Sequence, residues 1–112
     1  MHELSIACCI VDLVAEAALG RRVERVTIEI GKLSGVVPDA VAFCFPEVAR
    51  GTPAEAARLE ILEIEGRACC EACRSEFPLP DLLAACPCGS IRFHPVAGEE
   101  LNLKSIELEE AE

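Results

Sequence analysis

Two pairs of cysteines constrain this chain more than any other feature: Cys70-Glu71-Ala72-Cys73 is a C-x2-C pair, and twelve residues later Cys86-Pro87-Cys88 is a C-x-C pair. Both lie in a stretch, Gly66 to Gly98, that holds five of the eight cysteines and four of the seven prolines. Apolar periodicity fades there, and 33 residues cannot bury enough apolar surface to fold unaided. Such a segment needs a staple. Two short cysteine turns separated by a loop can set four thiolates tetrahedrally around zinc. Gly89 suits the tight turn after a ligand, because glycine admits positive φ cheaply. Four thiolates fill the coordination shell and leave no position for water or substrate. The expected site is therefore structural zinc on Cys70, Cys73, Cys86 and Cys88. Two substitutions in that set stay open: Cys69 in place of Cys70, which gives C-x3-C, and His94 as a nitrogen ligand. A redox C-x-x-C normally opens a helix in a βαβ unit, unlike this Pro-rich loop, so thiol–disulfide exchange is the weaker reading.

The remainder of the 112 residues reads as an α+β domain. Ile6, Ile10, Leu13, Val14 and Ala17 form a helical stripe within Leu4–Leu19, and Gly20 is a plausible stop. Cys8 and Cys9 point about 100° apart on that helix and are expected as small core or boundary side chains. Val26, Ile28 and Ile30 alternate with Arg25, Thr27 and Glu29, the pattern of a half-buried strand. A second helix is expected from Pro38 to Arg50, with Val41, Cys44, Phe45 and Val48 inward and a kink or early break at Pro46. Arg58–Ile64 and Glu100–Leu108 read as strands, the latter with a bulge near Lys104-Ser105, where apolar parity changes. Two helices would then pack on a three-stranded, mostly antiparallel sheet formed by residues 1–65 plus 99–112. A zinc-ribbon-like lobe, residues 66–98, is inserted into it.

Charge excludes some functions. Twenty acidic side chains face ten basic ones, a formal net charge of -10, so a nucleic-acid surface is not expected. The lobe is neutral, so the excess acid sits on the sheet domain, where it confers solubility or attracts a basic partner face. No apolar run is long enough to cross a bilayer, and Met1-His2-Glu3 does not open like a secretory signal, so the expected compartment is the cytoplasm. No Ser/His/Asp set or phosphate-binding glycine loop points to catalysis, and a non-enzyme is expected. A three-stranded sheet also leaves an edge for strand pairing with a partner or in a homodimer.

The start of the chain has chelating geometry of its own. The terminal amine of Met1, the amide nitrogen of His2 and its imidazole Nδ1 close adjacent five- and six-membered rings. The Glu3 amide nitrogen or carboxylate can complete a square plane, an arrangement that suits nickel(II) or copper(II) and suits zinc poorly. A bulky second residue also disfavours removal of Met1. Spacing alone does not separate this reading from an ordinary start.

Taken together, Met1-His2-Glu3-Leu4-Ser5, Ile30-Gly31-Lys32-Leu33-Ser34-Gly35-Val36, the paired cysteines and Leu103-Lys104-Ser105-Ile106-Glu107 resemble the HypA/HybF family along essentially the whole chain. The resemblance implies a nickel metallochaperone of hydrogenase maturation, with transient nickel at Met1, His2 and Glu3. It also implies structural zinc on Cys70, Cys73, Cys86 and Cys88, and delivery to the hydrogenase large subunit with a HypB-type GTPase. In some organisms urease maturation is served as well. The shortened Cys86-Pro87-Cys88 turn and Pro46 depart from the family pattern. The competing reading is a zinc-ribbon adaptor that binds protein only.

Overall fold

The computed structural model describes residues 3–110. The chain runs α1 (Glu3–Ala18), β1 (Val23–Gly31), α2 (Pro38–Ala49), β2 (Arg58–Ile64), β3 (Arg67–Cys70), β4 (Glu76–Pro78), β5 (Phe93–Ala97) and β6 (Leu101–Leu108). The larger sheet has the order β2-β1-β6 and is mixed. β1 and β6 pair antiparallel, whereas β1 and β2 pair parallel because α2 makes the crossover between them.

Both helices cover one face of this sheet. Ile6, Ile10, Val11 and Val14 of α1 meet Val41, Phe45 and Ala49 of α2 above Val26, Ile28 and Ile30 of β1 in one core. The buried stripe of α1 is Ile6, Ala7, Ile10, Val11, Val14 and Ala18, rotated from the one expected, so Leu13 and Ala17 are exposed. Cys8 and Cys9 are likewise exposed, which corrects their assignment to the core or its boundary; Cys44 is half-buried. α1 ends at Ala18, and Leu19 and Gly20 both take positive φ, 51° and 83°.

α2 does not break at Pro46 but continues to Ala49. Pro46 and Ala42 are both exposed, so the carbonyl that loses its helical donor lies on the wet side of the helix. The buried series Val41, Phe45, Ala49 holds the other side against the sheet. In β6 the pairing jumps from Ser105 opposite Thr27 to Leu103 opposite Ile28, leaving Lys104 as the extra residue. This bulge returns Leu103 and Ile106 to the same face, and both pack on the core. On the open face, Arg25 reaches Glu60 of β2 at 3.0 Å and Glu107 of β6 at 2.9 Å, tying the three strands together.

The second sheet, of order β4-β3-β5, lies between β2 and β6 in sequence. Its core is Ala68, Cys70, Phe77, Leu79 and Cys86, with Phe77 and Phe93 meeting edge to face at 5.6 Å. Leu33, from the loop after β1, packs into this core. The sequence shows no strand pattern here, because three strands of three to five residues each are too short for alternation to register.

Candidate metal centre

The two cysteine turns are built alike. After β3, Cys70 N–H donates to the Ser75 carbonyl, and Arg74 N–H donates back to the Cys70 carbonyl, each at 2.9 Å. After the intervening loop, Cys86 N–H donates to the Ser90 carbonyl at 3.1 Å, and Gly89 N–H donates to the Cys86 carbonyl at 2.8 Å. In each turn the residue following the second cysteine is left-handed, Arg74 at φ 65° and Gly89 at φ 94°. Glycine tolerates that conformation freely, whereas Arg74 holds it at a strain of roughly 1–2 kcal/mol. Each turn also aims an amide at its first sulfur: Cys73 N–H at Cys70 Sγ and Cys88 N–H at Cys86 Sγ, both at 3.5 Å.

These turns bring Cys70, Cys73, Cys86 and Cys88 together, with their sulfurs all within 4.8 Å of one another. Across the site, Cys70 Sγ lies 3.7 Å from Cys88 Sγ, and Cys73 Sγ lies 3.6 Å from Cys86 Sγ. Four sulfurs about 2.3 Å from a central ion stand about 3.8 Å apart at the corners of a tetrahedron, so the donor set fits a metal with little rearrangement. The one-residue Cys86-Pro87-Cys88 turn brings its two sulfurs into the group as the longer turn does. Cys70 and Cys86 are buried, while Cys73 and Cys88 reach solvent.

Electrostatics divide the four. The Cys73 amide, with help from that of Ala72, outweighs burial and holds the Cys70 thiol down at about 6. The amide and hydroxyl of Ser75 lower Cys73. At Cys86 the amide of Cys88 favours the thiolate, but burial and the neighbouring sulfurs overcome it and push the thiol up to about 12. The cluster in its metal-free form thus favours a thiolate at Cys70 and retains a thiol at Cys86. A metal cation held by all four sulfurs would have to displace the Cys86 proton as well, because the thiolate is the ligating form.

Cys69 stays outside the cluster, with its Sγ 3.9 Å from the carbonyls of Cys70 and Arg74. His94 faces Cys69 across the β3–β5 pairing and places its Nδ1 3.8 Å from Glu71 Oε1, also outside the sulfur group. Sequence reasoning overlooked Ser75 and Arg74, which close and polarise the first turn; their place beside the second cysteine of a C-x2-C pair was the available signal. Of the residues read at the amino terminus, Met1 and His2 lie outside the described residues. Glu3 opens α1, and its Oε2 accepts the N–H of Val37, the N-cap residue just before α2, at 3.4 Å.

Four cysteine sulfurs gathered closely enough to hold a metal ion, on a small α+β body, define a protein equipped to bind metal. Among the described residues no helix is long and apolar enough to cross a membrane. Residues 1–108 match the family described as hydrogenase/urease nickel incorporation, metallochaperone, hypA. The hydrogenase maturation factor HypA of Nostoc sp. is 49% identical over 110 residues, covering 98% of this chain and 97% of its own. That of Geobacter metallireducens is 48% identical, covering 97% of this chain and all of its own. The solution structure of the nickel metallochaperone HypA from Helicobacter pylori superposes with a TM-score of 0.71 over 96% of this chain and 97% of its own, at 24% identity. The chain belongs to the HypA family of nickel-incorporation metallochaperones. It is a hydrogenase maturation factor and not an enzyme, and its partners belong to that maturation machinery.

Proposed function

We propose that this protein takes up nickel(II) as cargo at Met1, His2 and Glu3. It hands the ion to the hydrogenase large subunit in concert with a HypB-type GTPase. Zinc on Cys70, Cys73, Cys86 and Cys88 is the resident, structural metal. In this reading residues 1–65 plus 99–112 form the nickel-binding domain, residues 66–98 form the zinc-binding domain, and the protein works in the cytoplasm. The observation that carries it is the family match across residues 1–108, which includes the chelating start as well as the sulfur cluster.

The local chemistry supports this division. Thiolates suit zinc, and four of them leave nothing to exchange, whereas a nitrogen-rich plane suits nickel(II) and stays open on its faces. The Glu3 carboxylate is engaged with Val37, which favours the backbone nitrogen as the donor from this residue.

The test is to add one residue before Met1. That shift moves the amine out of the chelate, and nickel binding should fall by at least about a hundredfold, with zinc content and the melting curve unchanged. In the native-start protein, nickel affinity should rise from about pH 5.5 to 8, as the imidazole (about 6.5) and the amine (about 7.7–8.0) lose their protons. Undiminished nickel binding by the extended protein would remove the terminal site and leave a zinc-stapled adaptor.

A further inference from the structure

An apolar groove lies where α1 overhangs β6, at the outer edge of the larger sheet. Ile6, Cys9, Ile10 and Leu13 form one wall and Leu101 and Leu103 the other, around a volume of about 290 Å³. Leu13 is 50% exposed and Leu101 37%, although both are large aliphatic side chains at the margin of a packed core. Monomeric proteins seldom leave such a patch open unless it receives something. The polar residues in its lining are Ser5 and Asn102, which is too little to orient a small polar ligand.

Three observations narrow the occupant. First, β6 is an end strand of the β2-β1-β6 sheet, so one side of its backbone can accept another strand beside the groove. Secondly, the rim is acidic. Glu16 follows Leu13 by three residues and shares its side of α1. At the other end, Leu101 is shared with an adjoining hollow to which Glu99 contributes. Lys104 is the lone cation within β6, against a net charge of -10 for the chain. Thirdly, the groove begins at Ser5 and Ile6, in the first turn of α1, a few residues from the proposed nickel ligands.

A second copy of this chain would bring like charge to like, and the Lys104 bulge twists the edge that a symmetric strand pair would need flat. We propose that the groove receives an extended segment of a nickel-transfer partner, one that carries aliphatic side chains flanked by Lys or Arg. The apolar side chains fill the groove, the segment's backbone pairs with β6, and its cations meet Glu16 and Glu99. Docking there sets the partner beside the start of α1. This inference rests on the nickel-carrier reading and adds where the partner sits.

The experiment uses the full chain with its native start and two probes, the purified HypB-type GTPase and the hydrogenase large subunit of the same organism. Their affinities are measured by calorimetry at several salt concentrations. Leu13→Glu keeps a helix-forming residue at an exposed position and should weaken at least one partner about tenfold or more. Glu16→Lys should weaken the same partner and flatten its salt dependence. Both variants should bind nickel and melt as the parent does. Unchanged affinities for both probes, or no binding by the parent protein, would overturn the proposal. So would a concentration-dependent dimer of the parent that Leu13→Glu abolishes without affecting either probe, since the groove would then belong to a second copy. Nickel stoichiometry is read separately on each protein, so failure of the carrier reading would appear there and not in the partner affinities.

Discussion

Replacing Cys86 by Ala should unfold the smaller sheet while the larger one stands. Cys86 is both a member of the sulfur cluster and one of the five buried residues of the second core. If the proposed zinc sits there, loss of Cys86 removes one of four ligands and leaves three sulfurs around a void. A structural zinc of this type contributes on the order of 10–16 kcal/mol of apparent folding free energy. Nothing else in residues 66–98 approaches that. Apart from its cysteines that core is Ala68, Phe77 and Leu79, helped by one edge-to-face aromatic pair worth roughly 0.5–1.5 kcal/mol beyond its burial. Hydrogen exchange resolves the outcome. Amides of β3, β4 and β5 should lose protection by several orders of magnitude, and those of β1 and the two helices should keep theirs. On the proposed zinc reading, treating the parent protein with a strong chelator should reproduce the pattern. Full protection of β3 in Cys86→Ala would mean that the sulfur cluster is dispensable and that the lobe is held by its hydrogen bonds alone.

Much of this organisation is legible in the residues, and the parts that are not have physical causes. The bulge at Lys104 follows from side-chain parity, because a sheet covered on one face forces its apolar residues to that face, whereas Arg58–Ile64 is legible as a strand despite imperfect alternation. The cysteine pairs announce themselves by spacing. Burial along α1 is legible only in outline, since two neighbouring stripes are nearly equally apolar and the position of α2 decides between them. Pro46 misleads because a lost hydrogen bond is charged against the helix in isolation, whereas here the freed carbonyl lies on the exposed side and packing holds the rest. The strands of the small sheet are invisible because, at three to five residues each, they are too short for their alternation to register. The groove beside α1 is invisible for a different reason. Leu13 and Leu101 read as core in any local window, and only the assembled fold leaves them outside it.

Gly31→Ala should lower stability by about 3 kcal/mol or more, a melting shift of roughly 10–20 °C for a domain of this size. The cause is a crossing of backbones where the two sheets meet. A Cβ on Gly31 would stand 2.1 Å from the carbonyl carbon of Gly98 and 2.6 Å from the amide nitrogen of Glu99. Main-chain atoms cannot swing aside as a flexible side chain could. The approach is locked from both ends, for Gly31 N–H donates to the Glu100 carbonyl at 2.8 Å and Leu33 N–H to the Gly98 carbonyl at 2.7 Å. Gly98 in turn has φ 109° and would press a Cβ to within 2.6 Å of Gly66 Cα, so three glycines stack where chains enter and leave the small sheet. Gly20→Ala is the control: φ there is 83° with nothing within 4 Å, so only the left-handed strain of roughly 1–2 kcal/mol applies. The contrast between these variants decides what the junction is. If Gly31→Ala melts with the control or above it, the backbones part freely and the crossing is a hinge that lets the sulfur cluster move against the start of α1. If it melts far below, as expected, the crossing is a rivet. Leu33, seated in the second core, then hands the position of the sulfur cluster to the loop that ends at Val37 and Glu3, so the two ends of the carrier are set at one spacing.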